Sequence, residues 1–179
     1  MSVVAAVQMA SGPNVKANLE EAEKLIKTAV QQEAKLVVLP ENFAIMGMTE
    51  VDKVAIAETA GEGPIQQFLS QQASKHGVWI VGGTVPIESS VTGKVFSASL
   101  LYNDSGEMVS RYDKIHLFDV MLEDSNESYN ESETIESGND VVVVDTPFGK
   151  LGMAICYDLR FPELVRAMAD VGMEICVLP

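Results

Sequence analysis

Apolar residues along the chain occur in two spacings: short unbroken runs, and stripes that step by three and four. VVAAVQM (3–9), LVVLP (36–40) and VWIVGGTV (78–85) are runs, and each reads as a buried strand. Between the first two, Leu19, Ala22, Ile26, Ala29 and Val30 form one stripe on a helix through NLEEAEKLIKTAVQQEA, with Asn14 as its N-cap. Strand, helix, strand predicts a parallel βαβ unit whose strands are covered on both faces. A short helix is expected near 50–59, and GEGPIQQFLSQQASKHG predicts a longer one entered at Pro64 and stopped by Gly77. VFSASLLYN and EMVSRY flank Asp104-Ser105-Gly106 and read as an antiparallel hairpin. VVVVDTP and KLGMAIC are strands either side of a Phe148-Gly149 turn. FPELVRAMADVG is a helix with Phe161, Leu164, Val165 and Met168 on one face, and EICVLP is a last strand. The alternation of strands and helices defines an α/β fold.

Two segments depart from this pattern. Residues 123–140 carry seven acids and no Lys or Arg, so they read as a surface loop or short helix. ICVLP repeats LVVLP almost letter for letter, yet the sequence stops at Pro179, where that strand should deliver its loop. A domain seldom ends on the last residue of a buried strand, because the strand's edge and far face would stay uncovered. The expectation is therefore a single domain over 1–179 that lacks its C-terminal part, with no internal repeat or linker.

Composition narrows the partners. An apolar content of 47% over 179 residues is too high for a disordered chain and enough for one core. A net charge of −14 disfavours nucleic acid and anionic membranes, both of which need a basic face. No apolar run approaches the ~20 residues that span a bilayer. MSVVAAVQM has no basic n-region and too short a run for a signal core. Two cysteines, at 156 and 176, make no disulfide framework and suit a reducing compartment, so a soluble cytoplasmic protein is expected.

Ligands of open α/β sheets sit at the carboxyl ends of strands, and three ionisable residues fall there: Glu41 after LVVLP, Lys114 after EMVSRY and Cys156 after LGMAI. Taken alone, Cys156 reads as a small buried hydrophobe. Its place at a strand-to-helix junction is that of a nucleophile elbow, followed by amides free to donate. Cys176 lies within a strand and reads as core. Glu41 is either a solvated loop carboxylate or, at the apolar mouth of a sheet, a general base. Lys114 is either a surface lysine or, beside a cysteine, a cation for a thiolate and an oxyanion. His116 offers the competing Cys–His pairing, or is a hydrogen-bonded structural histidine beside the site. VGGTV lacks the remaining glycines of a phosphate loop, and DSNESYNE lacks the spacing of a calcium loop. With no close Cys/His spacing, neither metal nor cofactor is expected.

LVVLPENF, RYDKIHLFD and GMAICYDLRFPEL, in that order, resemble the nitrilase superfamily of carbon–nitrogen hydrolases, and the likeness runs along essentially the whole chain. The resemblance implies a four-layer α-β-β-α sandwich and a Glu–Lys–Cys triad. By position Glu41 becomes the general base, Lys114 the oxyanion stabiliser and Cys156 the nucleophile. Glu131, in ESETI, matches the family's supporting carboxylate, and the Tyr157 N–H would join Lys114 at the oxyanion. KIHLFD with CYDLRFPEL is similar to the amidase branch that includes deaminated glutathione amidase and omega-amidase, which act on small carboxylate-bearing amides. On that reading Arg160 either meets a substrate carboxylate or forms an ion pair with Asp158 or Glu163. The branch's Pro-Gly element after HLFD is replaced here by VMLEDSNESYN. A small-molecule amide substrate, no cofactor and, for a full-length chain, a homodimer are implied. A non-catalytic sandwich module and an inactive fragment of an amidase are the other readings.

Overall fold

A computed structural model describes residues 2–122 and 127–179; the first acids of the acidic run, at 123–126, lie outside the described residues. The chain begins as the hydrophobic pattern predicts. Strand β1 (Val3–Ala6), helix α1 (Val15–Gln31) and strand β2 (Ala34–Val38) form a βαβ unit, with Val4 beside Leu36 and Ala6 beside Val38 in parallel register. The Asn14 side chain accepts the Ala17 N–H at 3.0 Å, which gives one of the helix's four unpaired first-turn donors a partner. Ala22, Ile26 and Ala29 are buried, and Leu19 and Val30 pack at the margin of the same core.

Helices α2 (Val51–Ala55) and α3 (Pro64–His76) carry the chain to β3 (Trp79–Val81), which pairs parallel with β2. Gly77 closes α3 at φ +59, a left-handed cap that suits glycine. The predicted single strand over 78–85 is broken. After β3 the chain kinks at Gly82-Gly83 and resumes as β4 (Val85–Glu88). Both pieces line one edge of β5 (Val95–Tyr102), with Val81 opposite Leu101 and Val85 opposite Ala98. Strand β6 (Met108–Asp113) takes the other edge of β5 and completes a six-stranded sheet.

A second sheet has the order β11-β10-β9, from β9 (Val143–Thr146), β10 (Gly149–Met153) and β11 (Ile175–Val177), with helix α4 (Pro162–Asp170) in the crossover. Strand alternation sorts the side chains into layers. Val37, Ile80, Leu100 and Tyr102 face α1 and α3, whereas Leu36, Val81 and Leu101 join Leu151, Met153 and Val177 of the second sheet. A Cβ on Gly152 would lie 2.8 Å from the Met168 sulfur, so the far side of β10 meets α4. The order helix, sheet, sheet, helix is the expected α-β-β-α sandwich.

Several expectations change. Strand β1 is not buried: it is an edge strand, and Val3 and Val4 are 46% and 49% exposed. Val165 and Cys176 are exposed rather than core. The acidic stretch contains a strand besides the expected loop and short helix. Part of it pairs as a hairpin of β7 (Asp119–Leu122) and β8 (Glu127–Asn130), followed by a 3-10 turn over Glu131–Glu133. Ile135 then plugs the core at 1% exposure and bridges to Val95. Among the described residues no helix is long and apolar enough to cross a membrane.

Candidate active site

Glu41 is held by a turn that other elements shape. Asn42 adopts φ +57 and donates its N–H to Thr84 Oγ1 at 2.8 Å, while Phe43 and Ala44 are fully buried anchors. Gly83 lies beneath this turn at φ +50, and a Cβ there would stand 2.1 Å from the Pro40 carbonyl oxygen. The Gly-Gly pair is thus a packing device. Only a residue without a side chain lets the backbone preceding Glu41 come this close.

Lys114 leaves β6 with both backbone groups engaged, its N–H to Ser97 O at 3.0 Å and its carbonyl to Gly138 N–H at 2.9 Å. Although 1% exposed, it meets two carboxylates: Nζ is 2.8 Å from Glu41 Oε1 and 2.9 Å from Glu131. Glu131 is held in turn by the Phe118 N–H, donated to Oε2 at 2.7 Å. Burial alone would pull the Lys114 pKa down, but the charges and hydrogen bonds of Glu41 and Glu131 outweigh it and the ammonium is held above its ordinary value.

Cys156 opens a 3-10 turn (Cys156–Arg160) directly after the second sheet's central strand, at φ +44. Positive φ on a non-glycine residue is strained, and the surroundings must impose it. Here the Cys156 N–H is tied to Pro179 O at 2.9 Å, and the Ile155 N–H to Asp158 Oδ2 at 2.9 Å. The turn's own ladder starts with the Asp158 N–H, so the Tyr157 N–H precedes it. Cys156 is exposed as a residue, yet its sulfur faces enough protein to lose water. That desolvation, with the charge of Glu41 and a hydrogen bond to it, pushes the thiol up to about 11 against the opposing pull of Lys114. A thiol at that value is protonated near neutrality.

The four side chains Glu41, Lys114, Glu131 and Cys156 line one cavity of about 360 Å³, within the usual range for small-molecule sites. His116 is not among the lining residues. Its ring Nδ1 lies 2.7 Å from Asp158 Oδ1 and its face stacks on Phe161 at 3.7 Å between centroids. Arg160 is exposed, is not part of the cavity lining, and makes no ion pair among the described residues. Asp158 could not serve it, since both carboxylate oxygens are taken.

Asp158 is the residue that sequence reasoning missed. It is fully buried, accepts the Tyr112 hydroxyl at 2.7 Å and the His116 N–H at 3.1 Å, and so grips the residues two before and two after Lys114. Its position two residues past Cys156, inside a junction whose neighbours are apolar, was the available signal. Among the described residues no group of three or more His, Cys, Asp or Glu side chains is placed to hold a metal ion.

Comparison with known proteins places the sequence and the fold in a family. The family model described as carbon-nitrogen hydrolase matches residues 3–178. A deaminated glutathione amidase of Yersinia enterocolitica is 41% identical over 98% of this chain and 61% of its own length. The omega-amidase NIT3 of Saccharomyces cerevisiae is 38% identical over 98% of this chain and 62% of its own. The chain thus spans about three-fifths of the length of these relatives. The crystal structure of the C. elegans NitFhit protein superposes with a TM-score of 0.88 at 28% identity, over 100% of this chain and 44% of that one. With a family match over nearly every residue and the same fold beneath it, the chain belongs to the carbon–nitrogen hydrolase family.

Proposed function

We propose that this chain carries the catalytic centre of an amidase that hydrolyses the C–N bond of a small carboxylate-bearing amide to a carboxylic acid and ammonia. The observation that carries the reading is one buried ammonium, Lys114, between two carboxylates in a cavity shared with a cysteine on a strained elbow. A thiol held near 11 does not ionise by itself at neutral pH, so a base must take its proton as it attacks. Glu41 lies within hydrogen-bonding reach of the thiol and fits that role.

In the proposed sequence, Glu41 removes the Sγ proton and the sulfur attacks the amide carbonyl carbon. The oxygen's developing negative charge is met by the Lys114 ammonium and the Tyr157 N–H. Glu41 returns the proton to the amide nitrogen, the C–N bond breaks, and ammonia leaves a thioester on Cys156. Glu41 then deprotonates a water that attacks the thioester. The C–S bond breaks, the sulfur recovers a proton from Glu41, and the acid is released. Glu131 holds Lys114 in place and balances its charge throughout.

The names of the relatives support the amide as substrate, and the same reading has a homodimer as the full-length assembly and the cytoplasm as its compartment. The unfavourable net charge for polyanions and the absence of a disulfide framework support a small-molecule partner in a reducing compartment. Ammonia release from small amides tests the reading. Cys156→Ala should abolish it and His116→Ala should retain part of it; equal losses, with a mild Lys114→Ala, would transfer the base role to His116.

A further inference from the structure

A second cavity, of about 310 Å³, shares no lining residue with the catalytic one. It opens between α3 and the turn joining β5 to β6, lined by Gln67, Ser70 and Gln71 of the helix, Tyr102 at the end of β5 and Met108 at the start of β6. Lys114 leaves the other end of the same hairpin, since Tyr102 pairs with Met108 and Ala98 with Asp113. The walls are fixed. Ser70 Oγ donates to Gly106 O at 2.6 Å, and a Cβ on Gly106 would stand 2.6 Å from Ser70 O, so helix and turn touch. Glu58, 6% exposed, accepts the Ile65 and Gln66 N–H groups and the Gln66 amide, which anchors the start of α3.

Tyr102 is only 4% exposed, yet its hydroxyl meets no hydrogen-bond partner among the described residues. A buried phenol ordinarily finds one. Burial and the charge of Glu58 push this phenol up to about 12, so it stays a neutral donor at physiological pH. Gln67 and Gln71, both exposed, also have side-chain amides without protein partners among the described residues. The cavity therefore combines one buried donor with two amides that each donate and accept. None of its lining residues carries a charge. An anion would find no cation there, and the oxygens of Glu58 are already engaged, so an ion would lose hydration without return. The fitting ligand is neutral.

A planar heterocycle suits these walls better than a sugar. The Tyr102 ring is buried and offers no open face, whereas the Met108 thioether is a soft contact for an aromatic system. Glutamine pairs bidentately with the N6/N7 edge of adenine, while the O6/N7 edge of guanine calls for Arg or Lys, which the lining lacks. We propose that this cavity binds a neutral adenine nucleoside, with Tyr102 donating to a ring nitrogen and the Gln67 and Gln71 amides reading the N6/N7 edge. The site stands independently of the amidase reading.

Calorimetric titration of the protein with adenosine, guanosine and AMP tests this. Adenosine should bind, guanosine roughly tenfold more weakly, and AMP no more tightly than adenosine because its phosphate meets no cation. Tyr102→Phe removes the donor and keeps the ring, and should weaken adenosine roughly fivefold. A double Gln67→Ala, Gln71→Ala variant, altered only at exposed positions, should erase the preference over guanosine. The proposal is overturned if adenosine does not bind at millimolar concentration, if guanosine or AMP binds more tightly, or if either variant leaves affinity and preference untouched. Ammonia release from small amides by the unaltered protein reads the amidase assignment separately, so failure of one leaves the other standing.

Discussion

At Cys156 two influences act in opposite directions. Lys114 favours the thiolate, while lost hydration and the charge of Glu41 favour the thiol, and the second pair prevails at about 11. This has a consequence for Glu41→Gln. Removing the carboxylate charge deletes an influence that raises the thiol and leaves the one that lowers it, so the thiol should titrate below about 11. Amide turnover should nevertheless be lost, because the group that collects and returns the proton is gone. Thiolate absorbance near 240 nm, taken as the difference from a Cys156→Ala control, measures the first effect, and ammonia release the second. An enzyme that gained thiolate and kept its activity would show that pre-ionisation drives attack and that Glu41 is not the base. At this scale the sequence was informative about identities and poor about partners. Glu41, Lys114 and Cys156 stood out because each follows a strand, whereas Asp158 was noticed only as a conceivable partner for Arg160. Its value depends on Tyr112 and His116, which lie far from it along the chain.

Two elements from different sheets must be kept in register for these side chains to meet, and Asp158 joins them. Oδ1 accepts from the His116 N–H and faces its ring Nδ1, while Oδ2 accepts from the Tyr112 hydroxyl and the Ile155 N–H. Asp158→Asn keeps the shape but turns one oxygen into an NH₂ that faces donors in either orientation. Loss of buried, charge-assisted bonds should reduce stability by about 2 kcal/mol. Because the elbow and the Lys114 segment are the parts released, kcat should fall more than KM rises. Urea unfolding and steady-state ammonia release check both halves; unchanged kcat would make the carboxylate a purely structural staple. The same scale explains where periodicity failed. VWIVGGTV looked like one strand because six of its eight residues suit one, but the kink at Gly82-Gly83 answers to the Pro40 carbonyl in the turn after β2. The β7–β8 pairing was hidden because an exposed hairpin rich in acids has no apolar alternation to announce it.

For the molecule as a whole, helices, strands and the α/β class followed from periodicity. The pairing of two sheets into a sandwich came only through the family likeness, since a run such as LVVLP shows that both faces are covered but not by what. The finished packing buries titratable groups on both sides of the first sheet, and their shifts share a direction. Cys156 is pushed to about 11 and Tyr102, mainly by burial, to about 12; Tyr112 is raised by burial and by Asp158, and Lys114 is raised despite its burial. For the thiol and the phenols, the unfolded chain releases its proton first as pH rises, so the folded state loses relative stability above the ordinary values of ~8.5 for Cys and ~10 for Tyr. For Lys114 the contribution is complete below its ordinary value and disappears as pH climbs through the raised one. Between pH 7 and 8 none of these groups changes its protonation, and the contribution of Lys114 is complete; the thiol begins the decline above about 8.5, and the phenols and Lys114 join it above about 10. The urea midpoint should be level near neutrality and fall steadily between about pH 9 and 11. Cys156→Ala should make the first part of that decline shallower, because it removes the earliest-titrating member of the set. A midpoint that stays level to pH 11, or a decline that Cys156→Ala leaves untouched, would mean that the sulfur is better hydrated in solution than its packing implies, and with that the need for Glu41 as a base would weaken.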